Sequence, residues 1–145
     1  GAVYEIFPDD KIVSIHEISA QDLRRIIAHT ATQQRKAGYA GMRVYITCSG
    51  AGMQVRMQLN DGREVQDDDR IRLIANDFLA LGGDDILTPA IPDDGFVLDP
   101  NMPLTRDVLV EWFTNQGDEL DPADFTTHAT PKWTVPDIIP ATCTF

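Results

Sequence analysis

Long apolar runs are missing from this chain of 145 residues. A spanning helix needs roughly 18 consecutive apolar residues, so no membrane span is expected, and no secretory leader is visible. Basic residues are scarce: 12 Lys and Arg stand against 23 Asp and Glu, a formal net charge of −11. Nucleic-acid polymers are held through their phosphates, which demand Lys and Arg. That partner class is therefore set aside, with anionic membranes. A single nucleoside is not excluded, because stacking and hydrogen bonding recognise it. The sequence has no Gly-x-Ser-x-Gly elbow, no Cys-x-x-Cys pair and no phosphate-cradling loop. Three histidines, His16, His29 and His128, lack neighbours at metal-ligand spacing. His16 reads as a solvated strand residue and His29 as structural. Asp67-Asp68-Asp69 lacks the ligand spacing of a calcium loop and reads as a solvated loop. Two cysteines, Cys48 and Cys143, allow one disulfide or two free thiols. There is no internal repeat and no second domain.

What is present suits one soluble domain with a real core. Hydrophobic residues make up 43% of the chain and charged residues 24%. Ile12 to Ile18 reads as a strand with its more apolar face on the odd positions. Ser19 is set to cap a helix, with Asp22 three residues on approximating a capping box. That helix is predicted from about Ala20 to Lys36, with Leu23, Ile26, Ile27 and Thr30 on its buried stripe and Gly38 as its stop. Met42–Cys48 and Met53–Leu59 read as neighbouring strands joined by Ser49-Gly50-Ala51-Gly52, and Asn60-Asp61-Gly62 as a turn. Arg70–Asn76 is a further strand. Residues 87–103 read as a Pro-rich loop with a short strand at Phe96–Leu98. Thr105 is set to cap a second helix, Arg106–Gln116, buried through Val108, Leu109, Trp112 and Phe113 and stopped by Gly117. Residues 118–145 read as an extended, Pro-rich tail packing on the same domain through Trp133, Val135, Ile138 and Ile139. The expected class is α+β, a mixed, largely antiparallel sheet with two amphipathic helices packed on it and an extended C-terminal tail.

One stretch carries chemical promise: Asn76-Asp77-Phe78-Leu79-Ala80-Leu81-Gly82-Gly83-Asp84. Gly82-Gly83 permits positive φ and close approach of backbone to a ligand or another segment. Asp84 then sits on a tight turn as a two-oxygen acceptor, and Phe78 offers a flat apolar face. Together they suit a nucleoside, stacked on its base and hydrogen-bonded at its ribose. The competing reading is that Phe78 is core and Gly-Gly-Asp only a turn.

This stretch resembles the Asn-Asp-Phe-Leu-Ala-x-Gly-Gly-Asp-Gly signature near the C-terminus of the 5′-nucleotidase family. Val3–Phe7, a short β-prone run, then Pro8-Asp9-Asp10, the Ile12–Ile18 strand and the Ser19 helix are similar to an earlier segment of the same family domain. Tyr45-Ile46-Thr47-Cys48-Ser49-Gly50 resembles its strand bearing a stacking aromatic, with Tyr39 as the fallback. The chain departs at Asp85 and Ile86, where the family has Gly and an aromatic. The resemblance spans roughly Val3 to Phe113, so residues 1–117 correspond to part of the family's C-terminal nucleoside-binding domain.

The resemblance implies Phe78 and Tyr45 as stacking faces, Asp84 as ribose acceptor, and Gly82 and Gly83 as the turn beneath the ligand. It implies a nucleoside or nucleotide as ligand and an N-terminal metallophosphoesterase domain as partner. The catalytic motifs of that domain, Asp-x-His, Gly-Asn-His-Asp/Glu and Gly-His-x-His, do not occur here, nor does the family's upstream Asn-Gly-Gly-x-Arg segment. Two divalent metals are implied for that domain and none for this chain, which is expected to hydrolyse nothing alone. A periplasmic or extracellular location is implied too, where a Cys48–Cys143 bridge would form. The alternative is a non-catalytic interaction or structural module that kept the fold and lost the nucleotide.

Overall fold

The computed structural model describes residues 5, 7–35, 37–117, 121, 133–134 and 139–145. In chain order they form β1 (Val13–Ser19), α1 (Ala20–Thr32), β2 (Met42–Ser49), β3 (Gly52–Leu59), β4 (Arg70–Asn76) and the single turn α2 (Asp77–Ala80). Two 3₁₀ turns at Gly83–Asp85 and Thr88–Ala90 follow, then α3 (Thr105–Gln116) and β5 (Trp133–Thr134). The class is α+β, and all but one of the strand pairings are antiparallel. The strands divide between two sheets. β1 pairs β4 from Val13 opposite Asn76 to Ser19 opposite Arg70. β2 and β3 form a hairpin from Met42 opposite Leu59 to Ser49 opposite Gly52, and β5 runs parallel along the other edge of β2.

α1 packs against both sheets. Its start is dictated locally: Ser19 Oγ accepts from the Asp22 amide at 3.0 Å and donates to the Asp22 carboxylate at 2.6 Å. Leu23, Ile26, Ile27 and Thr30 are buried, as their spacing predicts, and the first three join Val44, Ile46, Met53, Val55 and Met57 in one core. Each fully buried large aliphatic contributes roughly 1.5–3 kcal/mol. Arg24 lies beside that stripe and reaches β3, donating to the Val55 carbonyl (3.1 Å) and the Val65 carbonyl (2.6 Å), and it pairs with Asp67.

The helix stops earlier than expected, at Thr32 and not Lys36. Gln34 takes the left-handed conformation (φ 57), the Gln34 amide bonds the Ala31 carbonyl and the Arg35 amide bonds the Thr30 carbonyl. This is the paired-bond C-terminal cap that usually uses glycine. Gln34 holds the position because its side chain bonds both the carbonyl (2.9 Å) and the amide (3.3 Å) of Ile139. Gly38 therefore plays no part in the stop.

β1 turns the opposite face inward from the one expected. Ser14, His16 and Ile18 are buried, while Ile15 and Glu17 are exposed. Ile18 points into the core beside the buried Ala20, and the two-residue period then carries His16 and Ser14 inward with it. His16 is thus not solvated: its ring stacks on Phe96 at 4.0 Å. Phe96–Leu98 forms no strand and belongs to the loop that covers His16.

α3 also differs. Leu104 occupies the N-cap position and Thr105 is the first helical residue, its hydroxyl buried without a hydrogen-bond partner among the described residues. The cause is a tie to β1: the Thr105 amide donates to the Lys11 carbonyl (2.8 Å) and the Val13 amide to the Pro103 carbonyl (2.9 Å). The expected buried face is not buried. Val108, Trp112 and Phe113 are 40–41% exposed and Leu109 is half-buried. Gly117 ends the helix at φ 99.

The Asn60-Asp61-Gly62 turn forms, with Gly62 at φ 91. Asp67 and Asp68 are exposed as expected, and the partly exposed Asp69 is anchored as well. Its carboxylate accepts from the Gln66 amide (2.9 Å) and Arg63 (2.7 Å), and these bonds hold it below the usual carboxylate range. Cys48 and Cys143 form a disulfide across 95 residues, and the Met53 amide donates to the Thr144 carbonyl at 2.7 Å. Ile139 is buried. Val3, Tyr4, Ile6, Val135 and Ile138 lie outside the described residues, as do the side chain of Trp133 and all of His128.

Candidate functional site

The Asn76–Asp85 stretch leaves the end of β4 as a single helical turn followed by a tight reversal. Asn76 caps α2, its side-chain oxygen accepting from the Leu79 amide at 2.9 Å. Asp77 faces both ways: its carboxylate accepts from the Phe78 amide (2.9 Å) and the Ile12 amide (3.2 Å), and its own amide bonds the Ile12 carbonyl (2.9 Å). The start of β1 and the end of β4 are thereby locked beside α2. Within α2, Ala80 is buried and Phe78 is 42% exposed, and Leu81, just past its end, is 71% exposed. The turn is amphipathic and presents Phe78 outward.

Gly82 adopts φ 92, the left-handed conformation its position predicts. Gly83 approaches the Phe78 ring so closely that a β-carbon there would lie 2.5 Å from two ring carbons. The Lys11 ammonium lies over the same ring, 4.8 Å from its centroid, and pairs with Asp9 at 3.1 Å. Asp84 follows, exposed and at φ 56; its carboxylate has no hydrogen-bond or ion-pair partner among the described residues. An exposed ring, a free carboxylate and a lysine thus gather at one strand end.

Tyr45 is placed elsewhere. It is half-buried on β2, in the other sheet, opposite Arg56, whose guanidinium carbon lies 3.8 Å from the ring centroid. Phe78 and Tyr45 therefore have separate sheets and separate partners. Tyr39, the fallback, is half-buried with its hydroxyl 3.4 Å from Thr30 Oγ1, and burial raises its pKa.

At the two departures from the family signature, Asp85 repeats the left-handed conformation (φ 56), and Ile86 is half-buried against the core. The Asp85 carboxylate accepts from Gln33 (2.9 Å) and lies 3.0 Å from His29 Nε2. Hydrogen bonds from Thr88, Gln33 and His29 lower its pKa to about 2. His29 sits 56 residues away in sequence, so no local pattern announces this contact. Asn76 is different: a capping Asn ahead of an apolar turn is readable from sequence.

Among the described residues no three His, Cys, Asp or Glu side chains are grouped to hold an ion. No helix among them is long and apolar enough to cross a membrane.

No protein-family model matches the chain, and no curated protein does. Among solved structures it is similar to the crystal structure of a 5′-nucleotidase precursor from Thermus thermophilus, with a TM-score of 0.59 and 17% sequence identity. The likeness covers 80% of this chain and 24% of that one. At this identity it establishes a distant relation of fold, and this chain corresponds to a minor share of the other's length.

Proposed function

We propose that this chain is the nucleoside-binding part of a 5′-nucleotidase-like metallophosphoesterase, which hydrolyses phosphate esters of nucleotides with a catalytic domain outside this chain. One observation carries the reading: Phe78, in a stretch that resembles the family signature, presents a 42% exposed ring against Gly83, and the next residue, Asp84, is exposed with no carboxylate partner among the described residues. The ring supplies a stacking face and Asp84 accepts from ribose hydroxyls. Lys11 swings from the ring as the base arrives. Tyr45 lies in the other sheet under Arg56, so Phe78 carries the base contact in this reading. An exported location belongs to the same reading, supported by the disulfide.

In this reading substrate positioning is the chain's task, and phosphate chemistry belongs to the metallophosphoesterase domain that the resemblance implies. The test is adenosine titration of the isotope-labelled chain, with AMP hydrolysis assayed in parallel. Adenosine shifts localised to Phe78 and Gly82–Asp84, without hydrolysis, support the reading; no shift at saturating adenosine defeats it. A second reading, an interaction module without nucleotide, is favoured by Ile86 packing on the core where the family has an aromatic.

A further inference from the structure

Two consecutive non-glycine residues, Asp84 and Asp85, hold φ 56 in the turn after Gly82. Short polar residues tolerate this region better than others, but each does so at a cost and needs support. Support comes from the C-terminal end of α1. His29 Nε2 lies 2.9 Å from the Asp85 carbonyl and 3.0 Å from its carboxylate, and Gln33 donates to that carboxylate at 2.9 Å. Arg35 donates to the Asp84 carbonyl. One helix end thus grips both strained residues through their backbone and through the Asp85 side chain. The Asp84 carboxylate is the polar group left outside the grip.

We infer that Asp85 is a positioning residue for the site, clamped by His29 and Gln33 so that the Gly82–Asp85 turn holds Asp84 beside the Phe78 ring. The inference rests on the nucleoside reading above. A glycine at 85, as in the resembled signature, reaches φ > 0 without help; here a side-chain clamp replaces backbone freedom. Ligand orientation therefore depends on a helix whose sequence lies far from the turn.

Strain relief and clamping make opposite demands, which gives the test. Asp85→Gly removes the strain and the clamp together; Asp85→Asn tolerates left-handed φ and keeps an acceptor oxygen for Gln33 and His29. In the whole chain, amide exchange and shifts at Gly82–Asp85 are read first without ligand, then adenosine is titrated. Asp85→Asn is expected to keep the turn amides and the affinity of the unaltered chain. Asp85→Gly and His29→Ala are expected to speed exchange of the residue-85 amide, which bonds the Gly82 carbonyl at 3.1 Å. They should weaken adenosine by about fivefold, the loss of one net hydrogen bond. If Asp85→Gly leaves exchange and affinity unchanged, or Asp85→Asn fails as badly as Asp85→Gly, the clamp is not a positioning device. If the turn loosens as expected but the unaltered chain shows no response to adenosine, the clamp stands and the nucleoside reading falls.

Discussion

Gly83 lies against the Phe78 ring at a distance no side chain could share: a β-carbon at 83 would sit 2.5 Å from Cε1 and Cζ. Gly83→Ala must therefore displace the ring. Because Phe78 is 42% exposed, the ring has solvent to move into, and the fold should lose less than about 1 kcal/mol. Aromatic carbon–proton spectra should show a shifted Phe78 ring, and adenosine-induced shifts should vanish. Unchanged ring resonances would refute the contact.

Phe78→Ala and Asp84→Ala separate ligand from core. A core Phe costs about 3–5 kcal/mol on truncation. Phe78 should cost far less, while adenosine binding falls by the roughly 1–3 kcal/mol of a base–aromatic stack. Asp84→Ala should weaken adenosine more than adenine, since only adenosine carries ribose hydroxyls. Chemical denaturation with parallel titrations of both ligands checks each outcome, and equal losses for the two ligands count against the ribose contact.

His16 predicts an acid sensitivity. Burial against Phe96 lowers its pKa from the ordinary 6.5, so the unfolded chain binds this proton more readily than the folded one. The stabilisation is complete above pH 6.5 and is lost as the pH falls below it toward the depressed folded value. His16→Phe keeps a stacking ring and removes the titration. Urea unfolding at about pH 7.5 and about pH 5 should show the variant gaining on the unaltered chain in acid; a constant difference contradicts this.

The Cys48–Cys143 bridge closes a loop of 95 residues. Loop-closure entropy gives such a link about 4–5 kcal/mol of stabilisation. Cys48→Ser with Cys143→Ser should lower the denaturation midpoint accordingly. Mass spectrometry after alkylation without reductant should find no modified thiol in the unaltered chain.

Some elements were legible because their causes are local. Ser19 with Asp22, the apolar stripe of α1, the alternation of Met53 to Leu59 and the left-handed Gly82 each follow from a few neighbouring residues. The misreadings share the opposite property. The face of His16 is misread because Ile12 and Ile18 blur the alternation of β1; the entry of Ile18 into the core sets which side is inside, and Phe96, 80 positions on, then covers His16. α1 ends at Thr32 because Gln34 finds Ile139. Thr105 sits one place inside α3, with its amide tied to the Lys11 carbonyl, and Leu104 takes the N-cap position.

For the site, the sequence alone determined the parts: an aromatic, two glycines and an acid in an order that resembles a nucleoside-binding signature. Periodicity and turn chemistry act over a few residues, so they place Phe78, Gly82, Gly83 and Asp84 within one short segment. Tertiary structure alone decided their company. It put Lys11 over Phe78, set Tyr45 in another sheet under Arg56, and joined Asp85 to His29 and Gln33. The Lys11 and Asp85 contacts span tens of residues: the first arises when β1 pairs with β4 and the second when α1 docks on the sheets, because chain closure over such distances is driven by core burial and not by any local preference.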